Sequence, residues 1–174
     1  MRQAQTTAFA LAMSLLGLAR LDAQQHPITW TLATETKNAQ QGKQFTASVF
    51  AQIPQGWHLY STTQPPGGPI QTVLTLTGEN NFALSGSIRV RDPDMAPDPN
   101  FQIVTETYSD SVTFVLPIVA RVAGKQTFHV KVHYQTCTDR YCLPPMNEEL
   151  ELRLQARLTV RKCNELIAAN SHAP

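Results

Sequence analysis

Between Leu150 and Val160 apolar and polar residues alternate without a break. Leu150, Leu152, Leu154, Ala156, Leu158 and Val160 are apolar, and Glu151, Arg153, Gln155, Arg157 and Thr159 stand between them. A period of two turns one whole side of a strand inward and leaves the other in water. TFHVKVHYQT (127–136) repeats the pattern, with Phe128, Val130, Val132 and Tyr134 opposed to His129, Lys131 and His133. QFTASVFAQI (44–53), TVLTLT (72–77) and SVTFVLPIVA (111–120) are further β-rich runs, broken at short intervals by NAQQGK, PQGW, QPPGGP, TGENN and VAGK. Short strands punctuated in this way predict an all-β sandwich, with helix confined to the end near Cys163.

Two segments fall outside the alternation. STTQPPGGP (61–69) reads as a turn or irregular crossover. RDPDMAPDPNFQ (91–102) is expected to form a loop outside any ladder, because its three prolines remove backbone donors. Phe101 at its end either tucks into the core at the next strand or covers something functional, and composition alone points to the core.

The N-terminus is of another kind. Arg2 precedes the apolar run AFALAMSLLGLA, which is followed by LDAQQ. A charged start, a short apolar stretch and a small-residue exit read as a secretory signal peptide over residues 1–23. The run is short for a spanning helix, although an uncleaved anchor is the alternative, and no cysteine follows it to carry a lipid. Residues 24–160 are then the folded domain and 161–174 a tail, with no membrane span after cleavage. Removing residues 1–23 lowers Lys+Arg from 14 to 12 and Asp+Glu from 13 to 12, leaving a mature chain of about zero net charge. Such a balance gives no reason to seek nucleic acid or an anionic surface.

Export changes the meaning of YQTCTDRYCLPP (134–145), because disulfides persist outside the cytosol. With three cysteines, one intrachain disulfide leaves one thiol over; Cys163 reads as a half-buried or tail thiol. For Cys137 and Cys142 three uses compete. As a staple, so short a loop contributes only about 2 kcal/mol. Zinc needs about four ligands, and His129 and His133, although on one strand face, lie about 13 Å apart. Copper held by Cys137, Cys142 and Met146 is a sparse soft-ligand set. Thiol–disulfide exchange needs two cysteines within bridging distance on an accessible turn; TDRY supplies the turn, and Pro144 and Pro145 stop regular pairing behind it. Arg140 adds a positive charge to the turn, of the kind that favours a nearby thiolate when it points that way. Spacing leaves staple and exchange open together, with metal as a third use. G-x-S-x-G and HExxH motifs are absent, which gives hydrolase chemistry little support.

Three stretches carry a resemblance. GWHLYS (56–61), FQIVTETYSDSVTFVLPI (101–118) and VHYQTCTDRYCLPP (132–145), in this order, resemble the N-terminal periplasmic domain of the DsbD family of thiol:disulfide interchange proteins. The resemblance runs from about Trp30 to Leu154, and the cysteine hairpin is its most specific part. It implies an immunoglobulin-like β-sandwich with the cysteine pair at one end. Cys142 then engages partner proteins and Cys137 resolves. Phe101 falls on the family's cap phenylalanine, which shields the disulfide, and Tyr60 on a tyrosine lining the site. The sequence also departs from the family. Its cysteines enclose four residues where the best-known members have five. Pro99 and Asn100 precede the cap phenylalanine in place of acidic residues, with Asp98 one step earlier, and His58 stands where an aromatic residue is common.

The resemblance implies an extracytoplasmic carrier of reducing equivalents, without bound cofactor and monomeric. The chain is expected to stand alone, without the family's membrane segment and thioredoxin-like domain. Its partners would be thioredoxin-like redox proteins or a membrane thiol electron transporter on the donor side. Disulfide isomerases or cytochrome c maturation factors would be acceptors. The rival from another class is a non-catalytic immunoglobulin-like binding module with a static disulfide.

Overall fold

The computed structural model describes residues 26–78 and 80–159, together with Cys163. The signal peptide expected over 1–23 and nearly all of the expected tail lie outside the described residues. Among the described residues twelve strands form three four-stranded sheets. The first is ordered β1 (Thr29–Thr34), β3 (Gln44–Gln52), β9 (Ser111–Ala120), β6 (Phe82–Leu84). The second runs β2 (Asn38–Gln40), β12 (Met146–Arg157), β10 (Gly124–Tyr134), β5 (Val73–Thr77). A smaller third sheet is ordered β11 (Thr136–Cys137), β4 (His58–Tyr60), β8 (Ile103–Tyr108), β7 (Asp94–Asp98). Among the described residues no helix is long and apolar enough to cross a membrane.

The first two sheets face each other across the core, as the alternating pattern requires. Val49, Phe114, Leu116 and Ile118 from one meet Phe128, Val130, Val132 and Tyr134 from the other, all fully buried. Each such aliphatic or aromatic side chain contributes about 1.5–3 kcal/mol when removed from water. Aromatic edges stitch the layers together: Phe82 on β6 meets Phe128 on β10 at 5.2 Å, and Trp30 on β1 meets Tyr134 on β10 at 5.1 Å. The fold is an all-β, immunoglobulin-like sandwich.

The structure corrects the sequence reading in two places. The last strand covers Met146–Arg157 and leaves Leu158 exposed, so the alternation is longer than the ladder that uses it. The proline-rich segment was expected outside any ladder, yet Asp94–Asp98 pairs antiparallel with β8, Pro97 standing opposite Val104. β7 lies at the sheet edge, where only alternate N–H groups face a neighbour, so a proline is tolerated.

The small sheet is assembled from continuations of the large ones. β10 ends at Tyr134, and after Gln135 the chain re-enters pairing as β11 in the third sheet. Gln135 secures this crossing, accepting from the Ile70 N–H at 2.9 Å and donating to the Leu143 carbonyl at 3.3 Å. From β3, a turn over Pro54–Trp57 leads into β4; the Trp57 N–H bonds the Pro54 carbonyl and Gly56 takes φ +82°, a conformation that glycine adopts without steric cost. Tyr108 on β8 packs edge-on against Phe114 at 6.0 Å, anchoring the small sheet to the core.

Candidate functional site: a disulfide hairpin beside a polar relay

Cys137 and Cys142 form a disulfide across a tight hairpin. The Thr138 N–H bonds the Tyr141 carbonyl at 2.9 Å, and the Leu143 N–H bonds the Thr136 carbonyl at 3.1 Å. The two cysteines thus face each other between these bonds, as a non-hydrogen-bonded antiparallel pair, the pairing that brings side chains closest. The TDRY segment is the turn, as its composition predicts. The Thr138 hydroxyl organises it, accepting from the N–H groups of Arg140 and Tyr141, both at 3.2 Å. Arg140 is exposed at the tip. The cysteines differ in access: Cys137 is fully buried, whereas Cys142 is partly exposed.

Register decides what surrounds them. β11 pairs with β4 so that Cys137 stands opposite His58 and Thr136 opposite Leu59. Residues directly opposite share a face, and so do residues two apart, so Cys137, His58 and Tyr60 lie on one side of the small sheet. The same rule carries through Thr107 and Thr105 on β8 to Ala96 and Asp98 on β7. The predicted site residues His58, Tyr60, Asp98 and the cysteine pair are therefore brought together by strand pairing from three separate stretches.

The polar members form a directed chain. The Tyr60 hydroxyl donates to Asp98 Oδ2 at 2.6 Å, and His58 Nε2 lies 3.2 Å from the same hydroxyl. Because the tyrosine hydrogen goes to the carboxylate, Nε2 must carry the hydrogen that the hydroxyl oxygen accepts. Burial lowers the His58 pKa from its ordinary 6.5, against the opposing pull of Asp98 and Asp139, so the imidazole is neutral at neutral pH. The 3.7 Å approach of His58 to Asp98 is then a dipolar contact and not a full ion pair. Burial also pushes the Tyr60 hydroxyl far upward, reinforced by the hydrogen bond to Asp98 and by its charge. For Asp98 burial favours the neutral acid. The hydrogen bonds from Tyr60 and from the backbone of Asn100 and Phe101, with the nearby His58, overcome it and hold the carboxyl below its ordinary value.

Asp98 also starts the β7–β8 turn. Its Oδ1 accepts from the Asn100 N–H at 2.8 Å and the Phe101 N–H at 3.3 Å, and its carbonyl accepts from Gln102, which takes φ +58°. The turn presents Phe101, half-buried, edge-on to Tyr60 at 6.1 Å. The ring lies outside the central core, which composition alone had favoured, and packs on the site's own tyrosine. The Asn100 side chain then reaches across to the Thr138 carbonyl at 2.9 Å, one residue past Cys137. On the other flank Trp57 meets the exposed Tyr141 edge-on at 5.6 Å. Sequence reasoning missed both of these contacts; the Thr at the head of a four-residue turn was the one local signal for the first.

Other candidates fall away from this cluster. Met146 is buried in the core opposite Tyr134, which accounts for it without copper. His133 bonds Asn147, and Cys163 is a partly exposed free thiol.

A family model described as thiol:disulfide interchange protein DsbD, N-terminal, matches residues 29–154. Among solved structures, the N-terminal periplasmic domain of ScsB from Proteus mirabilis is similar with a TM-score of 0.56 and 14% identity, covering 87% of this chain and 56% of that one. The reduced N-terminal domain of DsbD from Neisseria meningitidis aligns with a TM-score of 0.49 and 14% identity, over 73% of this chain and 86% of that one. The DsbD N-terminal domain in complex with the PilB N-terminal domain, from the same organism, gives 0.49 and 15%, over 71% and 80%. At such identities the ScsB likeness speaks for the fold alone, and the other two add no weight. No curated protein matches. The family match spans most of the chain and includes the cysteine hairpin, Phe101 and the β4 stretch. The chain belongs to the DsbD N-terminal family of thiol:disulfide interchange proteins.

Proposed function

We propose that the protein carries reducing equivalents outside the cytoplasm, exchanging disulfides with partner proteins through Cys137 and Cys142. Family membership and the disulfide together support thiol–disulfide exchange in general. The observation that carries the finer reading is the unequal access of the two sulfurs, with Cys142 partly exposed and Cys137 buried beside it. A donor thiolate attacks the Cys142 sulfur, the Cys137–Cys142 bond breaks, and Cys137 departs as a thiolate. A second donor thiol attacks the mixed disulfide, leaving both domain cysteines reduced and the donor oxidised by two electrons. Delivery runs in reverse: the Cys142 thiolate attacks an acceptor disulfide, and Cys137 then displaces the reduced acceptor and restores the internal bond. No cofactor takes part.

In this reading residues 1–23 direct export to the periplasm or its equivalent, and 24–160 do the work as a monomer. Phe101 shields the disulfide until a partner docks, with Tyr60, His58 and Asp98 supporting it from beneath. Thioredoxin-like proteins or a membrane thiol transporter are the donors, and disulfide isomerases or cytochrome c maturation factors the acceptors. Equilibration against glutathione tests the reading. An exchanging disulfide should sit above about −300 mV, whereas a value below it marks a static bond and favours the binding-module reading.

A further inference from the structure

Two turns from distant parts of the chain meet at this site. One is the Asp98–Ile103 turn that carries Phe101; the other is the Thr138–Tyr141 turn that closes the disulfide hairpin. Phe101 itself packs on Tyr60 of β4, and Asp98 organises its own turn and the relay. What reaches the disulfide hairpin is the Asn100 side chain, 2.9 Å from the Thr138 carbonyl. A carbonyl only accepts, so the atom facing it is the amide nitrogen, and a donor at this position is required. Thr138 is well placed as an anchor, because its N–H and hydroxyl are both committed to its own turn, which fixes where its carbonyl points.

We propose that Asn100 is a latch. Its amide fastens the Phe101 turn to the disulfide hairpin through Thr138, and so sets how readily the Cys137–Cys142 bond is uncovered to an attacking reductant. This rests on the reading of Phe101 as a shield. Asn100 is a positioning residue: it touches neither sulfur, and its effect passes through the turn. An attack that waits for the turn to lift proceeds in proportion to the lifted population, so weakening the latch raises the rate without altering the disulfide.

The test is the rate at which a water-soluble phosphine, active in acid as in base, reduces the oxidised protein. Asn100→Ala removes the donor, and Asn100→Asp replaces it with a carboxylate that faces a carbonyl. Both should be reduced about tenfold faster than wild type at pH 8, the loss of one well-placed hydrogen bond. Below about pH 4 the aspartic acid regains a hydroxyl donor, so the excess rate of Asn100→Asp should fall back towards wild type while that of Asn100→Ala persists. In a Phe101→Ala background, where the shield is gone, neither variant should add a further increase. Rates equal to wild type at pH 8, or full additivity with Phe101→Ala, overturn the latch. Thermal unfolding confirms that each variant is folded. Mixed-disulfide trapping with protein partners tests exchange separately, so the latch can fail while exchange stands, and the reverse.

Discussion

Tyr60 and Asp98 are joined by a 2.6 Å hydrogen bond that links the strand beside Cys137 to the first residue of the Phe101 turn. Both side chains are almost wholly enclosed, so the bond is neither exchangeable for water nor easily screened. It couples the two halves of the site, because moving the turn means moving a buried carboxylate away from its best donor.

Removing that donor gives a direct prediction. In Tyr60→Phe, Asp98 Oδ2 loses its shortest hydrogen bond, leaving Thr105 at 3.5 Å, and the Nε2 hydrogen of His58 loses its acceptor. The expected cost is about 1–3 kcal/mol of stability, read from denaturant unfolding. The Asp98 carboxyl should titrate at higher pH than in wild type, followed by NMR. An Asp98 titration unchanged by the substitution contradicts the relay.

Acidification should destabilise the fold in two steps. The native His58 takes up its proton at lower pH than the unfolded chain, whose imidazole titrates near 6.5. As pH falls through 6.5 the unfolded state binds a proton that the native state resists, so stability declines until the native imidazole also titrates. Asp98 acts in the same direction further down: the stability it adds is complete above its ordinary value of 3.8 and is lost as pH falls through its lowered native pKa. Scanning calorimetry from pH 7.5 to 5.5 should show a drop in Tm that His58→Phe lessens. The acid loss below pH 4 should survive that substitution. A His58→Phe profile parallel to wild type through the upper window removes His58 as the cause.

Phe101 supplies a third prediction. With its ring half-buried against Tyr60, Phe101→Ala should leave the central core untouched and stability within about 1–2 kcal/mol of wild type. Reduction of the disulfide by a small thiol should nevertheless accelerate roughly tenfold, because a lid counts for access more than for folding. Unchanged kinetics would mean that the ring only packs.

The long strands were legible because Val49, Phe114, Val130 and Leu154 repeat at the period a half-buried strand demands. The cysteine hairpin was legible from its spacing and the residues enclosed. β7 was hidden by its own prolines, whose exclusion from ladders holds for central strands and relaxes at an edge. The unequal burial of Cys137 and Cys142 was not readable either, since it depends on Gln135 and the passage of the chain from one sheet to another. Nor was the meeting of Asn100 with Thr138, 38 residues apart: a side chain bonding a distant carbonyl leaves no periodic trace. His58 stands out in the sequence as a departure from the family, but its tautomer follows from the Tyr60–Asp98 hydrogen bond and its neutrality from burial, neither of which a sequence shows.

The central claim is that Cys142 is the sulfur that meets partner proteins. Mature Cys137→Ser and Cys142→Ser variants incubated with a thioredoxin-like partner and resolved on non-reducing gels test it most directly. Cys137→Ser should accumulate a mixed disulfide through the accessible Cys142, and Cys142→Ser should trap none through the buried Cys137. The reverse pattern would contradict the assignment, and an absence of trapping in both variants would contradict exchange itself.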